Sequence, residues 1–156
     1  MPATLAVWLH LTAAAVWVGS QLFLGLVAIP ALGAVPDAPT RVALLAIITR
    51  RFGYLGWSAL AVLAVTGLDR AARAFPDPSQ LLTGDGYARA IALKLELGAA
   101  IILLTAVHTW AVGPRLLQAM QTGAETRPLR RVSLALSTAT LIASLAAFWV
   151  VAGLRG

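Results

Sequence analysis

Four long apolar runs, separated by short polar or proline- and glycine-containing stretches, frame this chain. The first, TLAVWLHLTAAAVWVGSQLFLGLVAIP from Thr4 to Pro30, contains no charged residue. At about 1.5 Å per residue it reaches roughly 39 Å, more than the ~30 Å hydrocarbon core of a bilayer, which predicts a tilted membrane span. Within it His10, Ala14, Trp17, Gln21 and Gly25 recur at helical spacing along one side. Polar and aromatic groups on one stripe of an apolar helix predict a face turned into a bundle instead of toward lipid.

The connector ALGAVPDAPT follows, and its Thr40 is placed to cap an interfacial helix over about 40–51, RVALLAIITRRF. That lead-in can run on as one helix into the second span, 52–70, which Asp69, Arg70 and Arg73 close. Two Pro, two Asp and two Gly make FPDPSQLLTGDG, 75–86, a loop expected to fold over the end of the bundle. Tyr87 opens the third helix, with a span over about 90–113 that Pro114 ends or kinks. Arg127, Arg130 and Arg131 precede the fourth span, 132–154, whose Ser133, Ser137, Thr138, Thr140 and Ser144 can bond helix carbonyls or neighbouring helices. The first run is longer than the 7–15 residues of a signal-peptide core and lacks a basic flank, so it is expected to be retained, the alternative being a leader cleaved near Ala34. The expectation is one all-α domain over 1–156, an integral membrane four-helix bundle.

Composition agrees. The 156 residues are 60% hydrophobic and 12% charged, with a mean hydropathy of +0.85, whereas soluble domains are about 25% charged. The net charge of +6 comes from Arg and Lys placed between apolar runs and forms no basic stripe, so it reads as membrane topology and no nucleic-acid partner is expected. Seven basic residues (Arg41, Arg50, Arg51, Arg115, Arg127, Arg130, Arg131) fall on one side and five (Arg70, Arg73, Arg89, Lys94, Arg155) on the other. By the positive-inside rule both termini face the outer, periplasmic side of a multi-pass inner-membrane protein. With no Cys and two Met, thiolate sites, Fe–S clusters and a thioether path for Cu(I) are excluded, and metal ligation falls to His or carboxylates.

Ionisable groups inside a span cost roughly 2.5–3.5 kcal/mol each on insertion scales and usually face an interior or a cavity. His10, Lys94 and Glu96 fall at similar depth beside Asp69 and Arg70, predicting one outward-facing polar cluster, while His108 lies toward the inner interface. The histidines are expected on the order of 14–16 Å apart in height, too far for both to hold one haem. Each remains open: His10 as a ligand or a hydrogen-bonded interfacial imidazole, Lys94 as a site residue or one snorkelling to the headgroups. Trp8 and Trp149 fit an outer aromatic belt and Trp57 and Trp110 an inner one, leaving Trp17 near the middle, where it fills the core or walls a planar cofactor.

These residues resemble the copper-resistance protein D (CopD) domain, a four-span membrane module, and its relative, the HemJ type of protoporphyrinogen oxidase. The matching pieces are His10-LTAAAV-Trp17-VGS-QLF with Ile29-Pro30, Arg51-Phe52 leading to Leu63-AV-Thr66-Gly67-Leu68, and Lys94-Leu95 running on to Pro114-Arg115-Leu116. The CopD resemblance implies copper handling across the inner membrane. The HemJ resemblance implies a b-type haem held by the first-span His, here His10, with the third-span Lys, here Lys94, also important; this chain has FLGLVAIPAL where that branch carries an Arg and a further His.

Three functions follow. In one, His10 ligates haem b, Trp17 and Gln21 flank the ring, and Lys94 and Arg70 pair with its propionates, giving a redox or carrier protein or a haem-dependent oxidoreductase that works with a redox partner or quinone. In another, copper enters at His10 and Glu96 and leaves at His108. In the third, the chain is a structural membrane subunit. A homodimer is compatible with all of them.

Overall fold

The structure, a computed structural model, describes residues 2–84 and 86–152. Its four long helices are α1 (Ala3–Leu32), α2 (Ala38–Ala74), α3 (Tyr87–Thr122) and α4 (Arg127–Ala152). Each contains a segment long and apolar enough to cross a membrane. Arg155 and the end of the predicted fourth span, as well as Asp85 of the 75–86 loop, lie outside the described residues. A single helical turn, Gln80–Thr83, interrupts that loop.

The predicted interfacial helix and second span are one continuous helix of 37 residues, about 55 Å long. Nothing from Arg41 to Phe52 breaks it, and its start is set by Asp37, not Thr40. The Asp37 carboxylate accepts the Thr40 N–H at 2.8 Å, and Pro39 sits in the first turn, where its missing N–H is not needed. α3 ends at Gly123 (φ 71°), where the Ala124 N–H reaches back to the Ala119 carbonyl at 3.0 Å, as a left-handed cap requires.

Prolines are absorbed without ending a helix. Pro30 and Pro114 each follow a π-helical segment, Leu24–Ala28 and Val107–Val112. A proline removes one donor and crowds the preceding turn; widening that turn to π spacing lets α1 and α3 continue to Leu32 and Thr122.

α1 packs chiefly on α2 and α3 on α4, giving two hairpins; α2 meets α3, and α4 closes on α1. The core is thin: Trp17, Ala59, Leu60 and Ile101 form its buried cluster. Trp17 fits a notch at Gly56, where an added Cβ would stand 3.2 Å from its ring, and its indole N–H donates to Ser144 Oγ at 3.0 Å. Ser144 in turn donates to the Thr140 carbonyl, so one aromatic ties α1, α2 and α4 together.

The hairpins share a register. Pro30 and Pro114 are 84 positions apart, and every buried residue from Ala6 to Thr66 has a buried or half-buried residue 84 positions later. Trp17 corresponds in this way to Ile101, Gly56 to Thr140, Leu60 to Ser144 and His10 to Lys94. Two helical hairpins of like direction stand side by side, with the Trp17–Ser144 contact across their seam.

Candidate functional site

Around the end that carries the termini, α1 presents His10 to α2. His10 Nδ1 lies 2.8 Å from Thr66 Oγ1, and Thr66, 2% exposed, is the most deeply buried polar side chain described. Its hydroxyl also lies 2.6 Å from the Val62 carbonyl, to which it donates. A hydroxyl has one proton. With that proton on Val62, Thr66 can only accept from His10, which places the imidazole proton on Nδ1. Nε2 then carries the lone pair and has no hydrogen-bond partner among the described residues. The hydrogen bond of one ring nitrogen thus leaves the other with an unshared lone pair. Behind the ring, Gly67 leaves 3.6 Å between His10 Cε1 and the place a Cβ would occupy.

Arg70 and Lys94 both act electrostatically on His10, so two of the predicted site residues gather there from α2 and α3. Neither is in an ion pair among the described residues; the one salt bridge present joins Arg73 to Asp69. Arg73 grips Asp69 with two hydrogen bonds of 3.0 Å, one turn away along α2, so that carboxylate is already paired. Glu96 is exposed on the outer side of α3, two positions from Lys94 and so on a different face. A cleft of about 310 Å³ opens beside the site between Ala3, Ala6 and Val7 of α1, Asp69, Arg70, Arg73 and Ala74 of α2, and Tyr87. An apolar cleft of about 260 Å³ lies along Leu9, Ala61, Val62, Val65 and Thr66.

His108 belongs elsewhere. It sits inside the π segment of α3, with Nε2 2.9 Å from Ser133 Oγ of α4. Seven residues separate His10 from Trp17 and eleven separate Ser133 from Ser144, on opposite sides of the Trp17–Ser144 contact. At the helical rise this puts the two imidazoles about 25 Å apart along the bundle. Gln21 and Trp17 lie on the inward stripe of α1, Trp17 in the core and the Gln21 Nε2 buried without a partner.

Among the described residues no three His, Cys, Asp or Glu side chains gather in a group able to hold a metal ion. Residues 46–154 match the family Copper resistance protein D. The chain belongs to that family. The match begins within α2 and runs through α3 and α4, so the ligand candidate His10 on α1 stands ahead of the matched region while its partners Thr66, Arg70 and Lys94 lie within it. No curated protein and no solved structure matches the chain. Thr66 and Ser133 were the site residues least visible in the sequence. A lone hydroxyl in an apolar helix usually bonds its own i−4 carbonyl, and only the opposing helix shows that these two also meet histidines.

Proposed function

We propose that this member of the copper resistance protein D family holds a b-type haem at the end of the bundle carrying its termini, with His10 as its one protein ligand. It would serve in the inner membrane as a redox or haem-carrier protein, with that end on the periplasmic side. The observation that carries the reading is the Val62–Thr66–His10 hydrogen-bond chain, which leaves the Nε2 lone pair without a partner. The unpartnered Nε2 of His10 agrees with that group in that a macrocycle brings four nitrogen donors and asks one more of the protein. Bound haem supplies one-electron chemistry whose potential responds to the ligand, its hydrogen bond and its burial. The chain's own part is to hold the imidazole in one tautomer through Thr66 and to offer Arg70 and Lys94 to the two propionates, charges that need partners at this depth. The partner in that chemistry would be a redox protein or a quinone.

Copper, which the family's name indicates, is the second reading. Bare copper would meet Arg70 and Lys94 beside His10, where the neighbouring Asp69 is already paired with Arg73, whereas haem carries its own anions. A visible spectrum and metal analysis of protein purified in detergent with haem and copper supplied separate the two. A Soret band lost in His10→Ala supports haem, and stoichiometric copper without that band supports copper. Neither group bound under those conditions would refute both.

A further inference from the structure

The cleft of about 310 Å³ next to His10 is walled by three helices, and His10 itself is not part of its lining. One side is apolar and built from small groups, with Ala6 of α1 and Ala74 of α2 leaving the room. The other side is polar, made by Asp69, Arg70 and Arg73 of α2 and by Tyr87 at the start of α3. Arg73 engages both carboxylate oxygens of Asp69, so these two side chains cancel in charge. Asp69 is the one acid among the described lining residues, and it is taken. Arg70 is therefore left as an unbalanced positive charge at the edge of the cleft. Tyr87 is positioned by its ring contact with Phe75, centroids 5.8 Å apart, and brings a hydroxyl that can donate. A volume near 310 Å³ is at the small end of ligand sites, about 300–1,000 Å³, and gives room for a headgroup but not for a long molecule. The cleft stands where α2 leaves its apolar stretch, and one turn further in, Val65 and Leu68 of the same helix are well exposed. A charged head above an apolar tail matches that order of surfaces.

We infer that this cleft binds a phosphate group on Arg70, with the Tyr87 hydroxyl as a second donor. A guanidinium presents paired N–H donors that match phosphate oxygens, and one unbalanced charge suits the single negative charge of a phosphodiester. The same chemistry has two sources: the headgroup of an anionic phospholipid, its chains lying along Val65 and Leu68, or a phosphodiester arriving from solution. The inference does not rest on the haem reading. Arg70 also borders His10, so a bound propionate would compete for it, and the test is made on protein purified without added haem.

Native mass spectrometry and calorimetry in detergent follow the binding of phosphatidylglycerol, of zwitterionic phosphatidylcholine, and of glycerophosphoglycerol, the first lipid's headgroup without its chains. The expected result is one equivalent of phosphatidylglycerol held in preference to phosphatidylcholine. Arg70→Gln should weaken it roughly tenfold or more, as the loss of a charge-assisted hydrogen bond implies. Ala74→Leu, at an exposed position, should weaken it by filling the cleft with no change of charge. Arg89→Gln, an exposed cation of α3 outside the cleft lining, should leave it unchanged. Glycerophosphoglycerol binding with the same sensitivity to Arg70→Gln and Ala74→Leu identifies a soluble ligand; binding of the lipid alone identifies the leaflet as the source. No preference for phosphatidylglycerol in the unaltered chain overturns the inference, as does equal weakening by Arg70→Gln and Arg89→Gln. The first of these readings needs no variant, so misfolding cannot obscure it. His10→Ala should bind phosphatidylglycerol as the parent does, so the failure of either site is seen separately.

Discussion

Replacing Thr66 by Val tests the proposed haem site at its most specific point. Val keeps the β-branched shape and its preferred χ1 while deleting the hydroxyl, so helix α2 and its packing are little disturbed. The Val62 carbonyl loses only a supplementary donor, as the i−4 backbone bond already occupies it. His10 Nδ1, 2.8 Å from Thr66 Oγ1 in the intact protein, loses its acceptor at a position beside a residue only 2% exposed. Losing the partner that orients a metal-bound imidazole costs about 10–100-fold in affinity, or about 1.4–2.8 kcal/mol. The imidazole is then free to move its proton to Nε2 and close the ligand position. Haem titration of purified apoprotein, followed at the Soret band, should show weakening of that size in Thr66→Val, recovery in Thr66→Ser and loss in His10→Ala. If Thr66→Val binds within about threefold of the parent while His10→Ala does not bind, the tautomer mechanism is wrong. If both bind as the parent does, His10 is not the ligand.

Other expectations concern the surroundings of that site and the bundle. Ser144→Ala removes the acceptor of the Trp17 indole N–H and should cost about 0.6–1.7 kcal/mol in unfolding measurements in bilayer or mixed micelles, the range of interhelical hydrogen bonds in membranes; no loss would mean that the notch at Gly56 alone holds Trp17. Lys94→Met should weaken haem binding and make it less sensitive to salt, while Glu96→Leu, on the exposed side of α3, should leave it unchanged; equal effects would disprove the separation of those two residues. Asp37 has its carboxyl held below its ordinary value of 3.8 by the Thr40 hydrogen bonds, so its support for the start of α2 is complete above that value and fades as pH falls through the lowered one. Exchange of the Thr40 amide, compared with Asp37→Asn, should therefore lose its protection in acid only in the parent.

The spans were legible because lipid imposes a strong rule: backbone groups must be bonded within the helix and side chains must be apolar over about 20 residues. Asp69, Arg70 and Arg73 correctly marked where α2 approaches the bundle's end, and helical spacing correctly put Trp17 and Gln21 on the inward stripe of α1. Pro114 announced a disturbance without saying which kind, since a proline's missing donor can stop a helix or widen it into a π turn, and here the helix widens over Val107–Val112 and runs on to Thr122. Depth along a helix put His10, Lys94 and Glu96 at one level, but depth says nothing of the face a residue takes, and Glu96 is exposed on the outer side of α3. The two histidines stand farther apart than depth counting suggested.

By itself, then, the sequence determined the four-span all-α class, the inward stripe of α1 and a concentration of charge near the end of the bundle that carries the termini. All three follow from local composition and periodicity, which act along one helix at a time. The tertiary structure decided which hydroxyl orients His10, which carboxylate is engaged by Arg73, where Trp17 is anchored and which buried donors remain open. These depend on how one helix is rotated and raised against the next, and that is set by packing such as Trp17 in the Gly56 notch, summed over the whole bundle.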